Sequence, residues 1–337
     1  MNHDYLWDGS GEPDPEIQKL EMALAPLRYK GSAPEFDRGH EPVEQPRLSS
    51  LMAWRIGLAF ACASVALAGL WWYLAAAPSY EVVSLAGAPQ VGVTRLSEKG
   101  QLKIGQWLQT DSSSRARIQV GLAGQVDIEP GTRIKLVQAQ ANEHRLLLER
   151  GTLHATIWAP PRLFYVDTPF AEAEDLGCAY TLEVAEDGTG FLQVTSGWVA
   201  FKHQGRESFV PAGAACRTYP SQGPGTPYRL DAAPALQSAL DTLDRGSDAT
   251  GLSLATVLSM IRPEDAFTLW HLLTRTRGSD QARICSRLAQ LVPMPAGVDR
   301  QGILTGDTRM LDRWWNALGL GDAGWWRLWE RPWQDRK

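Results

Sequence analysis

Apolar and polar positions change period several times along the chain. Residues 13–29, "PDPEIQKLEMALAPLRY", set Ile17, Leu20, Met22, Leu24 and Leu27 at roughly helical spacing behind a proline-rich, acidic start, which predicts one short amphipathic helix. Residues 31–50, "GSAPEFDRGHEPVEQPRLSS", are polar and proline-rich and predict a tether without a core. Residues 56–77, "IGLAFACASVALAGLWWYLAAA", carry no charge. As a helix they would extend roughly 33 Å, against a hydrocarbon core of ~30 Å. From Tyr80 to Tyr228 short runs alternate with period two and are broken by glycine, giving nine candidate strands. From Pro234 the apolar residues return to three-four spacing.

The run at 56–77 reads as a membrane span; the alternative, a buried core helix, would seldom run so long without a polar face. Trp54 stands before it and Trp71, Trp72 and Tyr73 near its end, where amphipathic rings settle at the headgroup level. Arg38, Arg47 and Arg55 precede it closely, and the first basic residue after it is Arg95. The positive-inside bias then keeps the N-terminus in the cytoplasm and sends residues from 78 onward outside. The stretch ahead of the run and Pro78 directly behind it speak against a cleaved signal peptide. The expected organisation is an arm over 1–50, a transmembrane helix over 51–78, a β domain over 79–230 and a helical domain over 231–337.

Within the β region, Cys178, Tyr180, Leu182 and Val184 share one face of a strand, and "EDGTG" at 186–190 supplies a turn to a second strand. Two segments echo each other: "LLERGTLHA" (147–155) and "QVTSGWVAF" (193–201) both read strand, x-x-Gly, strand. Gly151 and Gly197 are expected to take a positive φ at a corner. Nine strands of this kind fit a sandwich, barrel or solenoid.

The stretches "GQLKIGQWLQTDSSSRARIQV" (100–120), "GQVDIEPGTRIKL" (124–136), "LLLERGTLHA" (146–155), "FYVDTPFAEAEDLGCAYTLEV" (164–184), "VTSGWVAF" (194–201) and "VPAGAACRT" (210–218) occur in this order. Together they resemble the FecR domain of bacterial membrane-anchored sigma-factor regulators. The resemblance implies an all-β extracytoplasmic domain, sandwich- or solenoid-like, behind a single span of the bacterial cytoplasmic membrane. It implies signal transduction by protein binding, with a cytoplasmic sigma factor or other protein taken by residues 5–29. The contacts there would be Tyr5, Trp7, Leu20, Leu24 and Leu27; otherwise the arm is a frayed segment without a partner. The chain departs from the family in three ways: Cys178 replaces the usual threonine, little precedes the span, and residues 234–337 do not match the family's receptor-contacting end. An extracytoplasmic scaffold or envelope-binding protein without a sigma partner is therefore the second expectation.

Composition narrows the chemistry. With 337 residues, 44% apolar and 21% charged, the chain is an ordinary folded protein, and its net charge of −5 offers no footprint for nucleic acid. The four cysteines show no CxxC spacing, so no metal site or cofactor is expected. Cys178 and Cys216, both on inward strand faces outside the membrane, either form a disulfide or remain two buried thiols. A bridge over their 38-residue separation (216 − 178) would be worth roughly 4 kcal/mol. The six histidines lie in no HExxH or other catalytic motif, and His154 and His203 show no acidic partner in sequence. Asp167 and Asp175 read as turn formers, and "GPGTPY" (223–228) as a linker. No catalytic residue and no enzyme is expected, with a hydrolase kept as the remote third class.

Five helices are expected after Pro234, in a bundle or hairpin stack, with Ser279 and Asp307 as starts and Pro263 at a first helical position. The tail "GWWRLWERPWQDRK" either caps this bundle or lies in a bilayer interface through Trp325, Trp326 and Trp329.

Overall fold

The computed structural model describes residues 14–27, 64 and 78–321. The chain divides into two compact units, Met1–Gly69 and Leu70–Lys337. In the first, helix α1 (Pro15–Leu24) begins where Asp14 accepts the Glu16 N–H and Pro15 occupies the first turn, and a 3₁₀ turn follows at Ala25–Leu27. Among the described residues no helix is long and apolar enough to cross a membrane. The expected span at 56–77 lies outside them, Ser64 excepted, as do Tyr5, Trp7, Trp325, Trp326 and Trp329.

The second unit opens with β1 (Ser79–Ala86), β2 (Gln90–Val91), β3 (Thr94–Arg95), β4 (Lys99–Lys103), β5 (Trp107–Gln109) and β6 (Arg115–Val120). There follow β7 (Gly124–Ile128), β8 (Arg133–Gln140), β9 (Glu143–Ile157), β10 (Phe164–Thr168), β11 (Ala171–Asp175) and β12 (Ala179–Val184). The last are β13 (Gly190–Ser196), β14 (Trp198–His203), β15 (Arg206–Pro211), β16 (Ala214–Tyr219), β17 (Gly223–Pro224) and β18 (Tyr228–Arg229). Sheet A runs β4-β1-β6-β7-β9-β12-β13-β16, with β17 and β18 on β16. Sheet B runs β3-β2-β5-β8-β9-β10-β11-β14-β15. Among the described strands only β9 and β10 pair in parallel.

Strand β9 belongs to both sheets. Its first half pairs with β8 and β10, its second with β7 and β12, and Gly151 stands at the change. The inward positions shift phase there, from Leu146 and Leu148 to Leu153, Ala155 and Ile157. One extra residue therefore keeps the apolar side buried while the strand turns from one sheet to the other. The echo seen in sequence has the same meaning at Gly197: Leu192 and Val194 face inward in sheet A, Val199 and Phe201 in sheet B. Gly151 has φ +94° and Gly197 φ +70°, as expected. A Cβ on Gly151 would stand 2.4 Å from the Thr132 backbone, and one on Gly197 2.0 Å from the Gly177 carbonyl.

Helices α2 (Pro234–Asp244), α3 (Leu252–Met260), α4 (Ala266–Arg275), α5 (Gly278–Leu291), α6 (Arg300–Thr305) and α7 (Thr308–Ala317) complete the unit. Asp307 caps α7 and Pro263 opens a 3₁₀ turn, as expected; α5, however, begins at Gly278, so Ser279 lies inside the first turn. The short α6, with Gly302 in it, was not expected. α4 buries every residue from Ala266 to Leu273 and lies along β15, the edge of sheet B. There His271 Nε2 accepts the Phe209 N–H at 3.0 Å, and Arg275 donates to the Glu207 carbonyl at 2.8 Å and to Ser208 Oγ. An open strand edge is a template for unwanted pairing, and α4 closes this one. The "GPGTPY" segment is not a loose linker. It is buried from Gly223 to Tyr228, with Thr226 bonded to Asp244 and the Pro227 carbonyl accepting from Thr268.

Alanine at Gly151 or Gly197 will cost about 3 kcal/mol or more in urea unfolding, because each adds both a clash and a disfavoured φ. Alanine at Gly105, which has φ +85° but open space around it, will cost about 1 kcal/mol. Equal costs at the three positions would contradict the sheet-crossing account.

Candidate functional site

Helix α1 buries none of its residues. Leu20, Leu24 and Leu27 are exposed by 61%, 56% and 78%, and with half-buried Ile17 they follow one face at i, i+3, i+7, i+10. Met22, also exposed, stands about 200° from Leu20 and so leaves the stripe. The apolar stripe expected in this helix thus holds Ile17, Leu20, Leu24 and Leu27, without Met22.

Of the two alternatives for Cys178 and Cys216, the structure has the second: both are buried free thiols and no bridge is formed. Cys216 pairs with Leu192 on β13 and Leu192 with Leu182 on β12, four residues beyond Cys178. Two strand steps and four residues separate the Cα atoms by roughly 16 Å, well past the ~7 Å limit for a disulfide. Cys216 instead donates to the Gly225 carbonyl at 3.2 Å. Cys178 donates to Asp175 Oδ2, and Asp175 also accepts the Gly177 N–H at 2.7 Å. Asp175 is therefore a turn former, as expected, but a buried one. Burial pushes its carboxyl up to about 7, against the pull of the Cys178 and Gly177 hydrogen bonds. Burial and the neighbouring Asp175 likewise raise the Cys178 thiol, the opposite of what a nucleophile needs.

The outer face of sheet B is a lattice of charges. Asp167 and Glu172 lie directly opposite across β10 and β11, and Arg145 reaches both, at 2.6 and 2.7 Å, as well as Glu143 at 2.8 Å. Asp167 is accordingly a mid-strand ion-pair member and not a turn former. Glu174, only 5% exposed, is held by Arg162 and by Lys202 at 2.6 Å. A cleft of about 580 Å³ opens beside this lattice between Asp167, Glu172, Lys202, His203, Arg206 and Glu207. His154, contrary to the sequence reading, does meet a carboxylate, Glu129, at 3.3 Å, together with Thr181 at 2.8 Å. Among the described residues no group of three or more His, Cys, Asp or Glu is placed to hold a metal ion.

The buried junction between sheets and helices was invisible in sequence because its partners are far apart in the chain. Trp315 packs against Trp198, Phe209, Trp270 and His271 with ring centroids 4.8 to 6.1 Å apart. Asp244 accepts from the Thr226 N–H and hydroxyl and from Arg206 at 2.9 Å. His271 is neutral: Nε2 accepts from Phe209, Nδ1–H donates to the Phe267 carbonyl at 2.7 Å, and burial lowers its pKa to about 3.

No family model matches the chain, and none of the curated proteins does. Two crystal structures of a "putative anti-sigma factor" from Parabacteroides distasonis, at 1.65 and 2.50 Å resolution, are similar to it. Each shows 15% identity and a TM-score of 0.31 over 35% of this chain. The chain spans about half of that protein, 56% of its length. A likeness of that size is too low to define a shared fold.

Asp175 gives a pH signature. A carboxyl raised from 3.8 to about 7 on folding adds stability below pH 3.8 that is lost as pH rises through 7, at most about 4 kcal/mol between those ends. In thermal unfolding from pH 7.5 to 4.5, wild type will gain stability relative to Asp175→Asn as pH falls. A constant offset between the two would show that Asp175 is ionised in the fold.

Proposed function

We propose that the chain is a membrane-anchored regulator of the FecR type that acts by binding protein and not by catalysis. The observation that carries this reading is the exposed leucine face of α1. A capped amphipathic helix none of whose residues is buried among the described residues gains stability by laying that face into a partner's groove. The charge-free run at 56–77 and the arginines before it support a single span of the bacterial cytoplasmic membrane with α1 inside and the sheets outside. The order of the FecR-like stretches supports a cytoplasmic sigma factor as the partner of α1. It agrees with the anti-sigma description of the two distant structures, whose low TM-score adds no weight to it.

The second reading is an extracytoplasmic scaffold or envelope-binding protein without a sigma partner. It is favoured by the polar cleft on sheet B, which lies in the other unit and needs no contribution from α1.

Affinity capture with the detergent-solubilised full chain separates the two. On the first reading wild type recovers a sigma factor, and Leu20→Glu with Leu24→Glu lowers recovery about tenfold or more, since two apolar anchors are lost. Recovery unchanged by the double substitution would remove α1 from the account. Capture of envelope proteins alone would support the scaffold.

A further inference from the structure

We infer that one rim of the β-sandwich is itself a lipid-contacting surface, resting in the headgroup layer beside the anchor. The inference rests on reading residues 56–77 as the span. Pro78 and Ser79 are the only residues between that run and Tyr80, which is already 4% exposed within β1. Two extended residues span at most about 7 Å, so the rim where β1 begins is held against the end of the run.

The strand registers show what else lies on that rim. Ser79 pairs with Lys103, which puts the Ile104 turn beside it. Glu81 pairs with Gln119, so the turn between β6 and β7, with Leu122 at its tip, lies on the other side. Gly124 pairs with Ile157, which brings Trp158 next to Leu122, and the indole N–H donates to the Leu122 carbonyl at 2.7 Å. The Gly92 N–H donates to the Trp107 carbonyl, which places the Val93 turn at the same end of sheet B. Val93 is 96% exposed, Leu122 95%, Trp158 58% and Ile104 43%. From β4 to β9 this row extends over four strand steps, about 19 Å.

Four large apolar side chains held outward on separate turns lose their hydration only if something covers them. Lipid fits for three reasons. The rim adjoins the run that would enter the bilayer. Tryptophan with its N–H satisfied is the side chain that settles at a headgroup boundary. The turns 103–106, 120–124 and 157–163 contain no acidic residue; Lys103 offers a charge to an anionic surface, while Arg162 is taken up by Glu174. The opposite rim has Glu98, Asp111, Glu129, Glu186 and Asp187 in its turns, Glu129 paired with Arg115 and Glu186 with Arg150. The two rims thus differ, with large exposed apolar side chains toward the anchor and acidic turns away from it.

The test uses the full chain with Cys62→Ala, reconstituted in phosphatidylethanolamine–phosphatidylglycerol vesicles and spin-labelled at Leu122→Cys or at Asp187→Cys. Vesicle flotation after an alkaline wash reports the anchor, and collision of the label with O2 and with a Ni(II) chelate reports its surroundings. The chain should float, with O2 collisions several-fold favoured over the chelate at 122 and the chelate favoured at 187. If the chain floats and both labels give the aqueous ratio, the rim stands clear of the bilayer and the inference falls while the anchor stands. A label at 122 shielded from both reagents would mean that protein covers the rim, which also overturns it. A chain that does not float overturns the span and the inference together.

Discussion

The crossing of β9 from one sheet to the other is the constraint on which the rest of the second unit depends. Leu148, Gly151 and Leu153 on β9 have the same spacing as Val194, Gly197 and Val199 between β13 and β14. Each glycine lets a strand leave one sheet and join the other without exposing its apolar side, so both sheets close on one core. Around Gly151 the backbone is held tightly: Thr132 Oγ1 accepts the Thr152 N–H at 2.9 Å, and Thr110 Oγ1 accepts the Thr132 N–H at 2.9 Å. The space a side chain would need is already taken by Thr132.

The helices after Pro234 finish what the sheets leave open. Sheet B ends in β15, whose outward backbone groups would otherwise be free to pair with another chain. His271 and Arg275 take them, and Trp315 seals the contact. Burying a guanidinium is costly, and burial pulls Arg275 down to about 10 even with Asp244 nearby. The hydrogen bonds to Glu207, Ser208 and Thr226 offset this. The helices therefore belong to the same cooperative body as the sheets and do not hang from them as a separate module.

Much of this was legible in the sequence. The inward face of Cys178, Tyr180, Leu182 and Val184 was readable because a strand half-buried on one face alternates strictly. The glycine echo was visible too, although its meaning needed the pairing partners of each half. β11, "AEAED", escaped notice because its inward residues are small alanines and its outward ones acids whose partners, Arg145, Arg162 and Lys202, come from other elements. The absence of the Cys178–Cys216 bridge could not be read from facing direction alone, since two inward residues can stand two strands and four residues apart. His271, Arg275 and Asp244 gave no local signal at all.

On the functional side, α1 offers an apolar face that none of the described residues covers, while in the second unit the helices close the β15 edge. On the proposed reading the two halves of the chain face two different surroundings, with the charge-free run at 56–77 between them in sequence. Protease treatment of intact spheroplasts carrying the chain with a tag at each end tests that separation most directly. The account predicts that the tag at Lys337 is digested while the tag at Met1 survives until the membrane is dissolved. Survival of both tags in intact spheroplasts would contradict it.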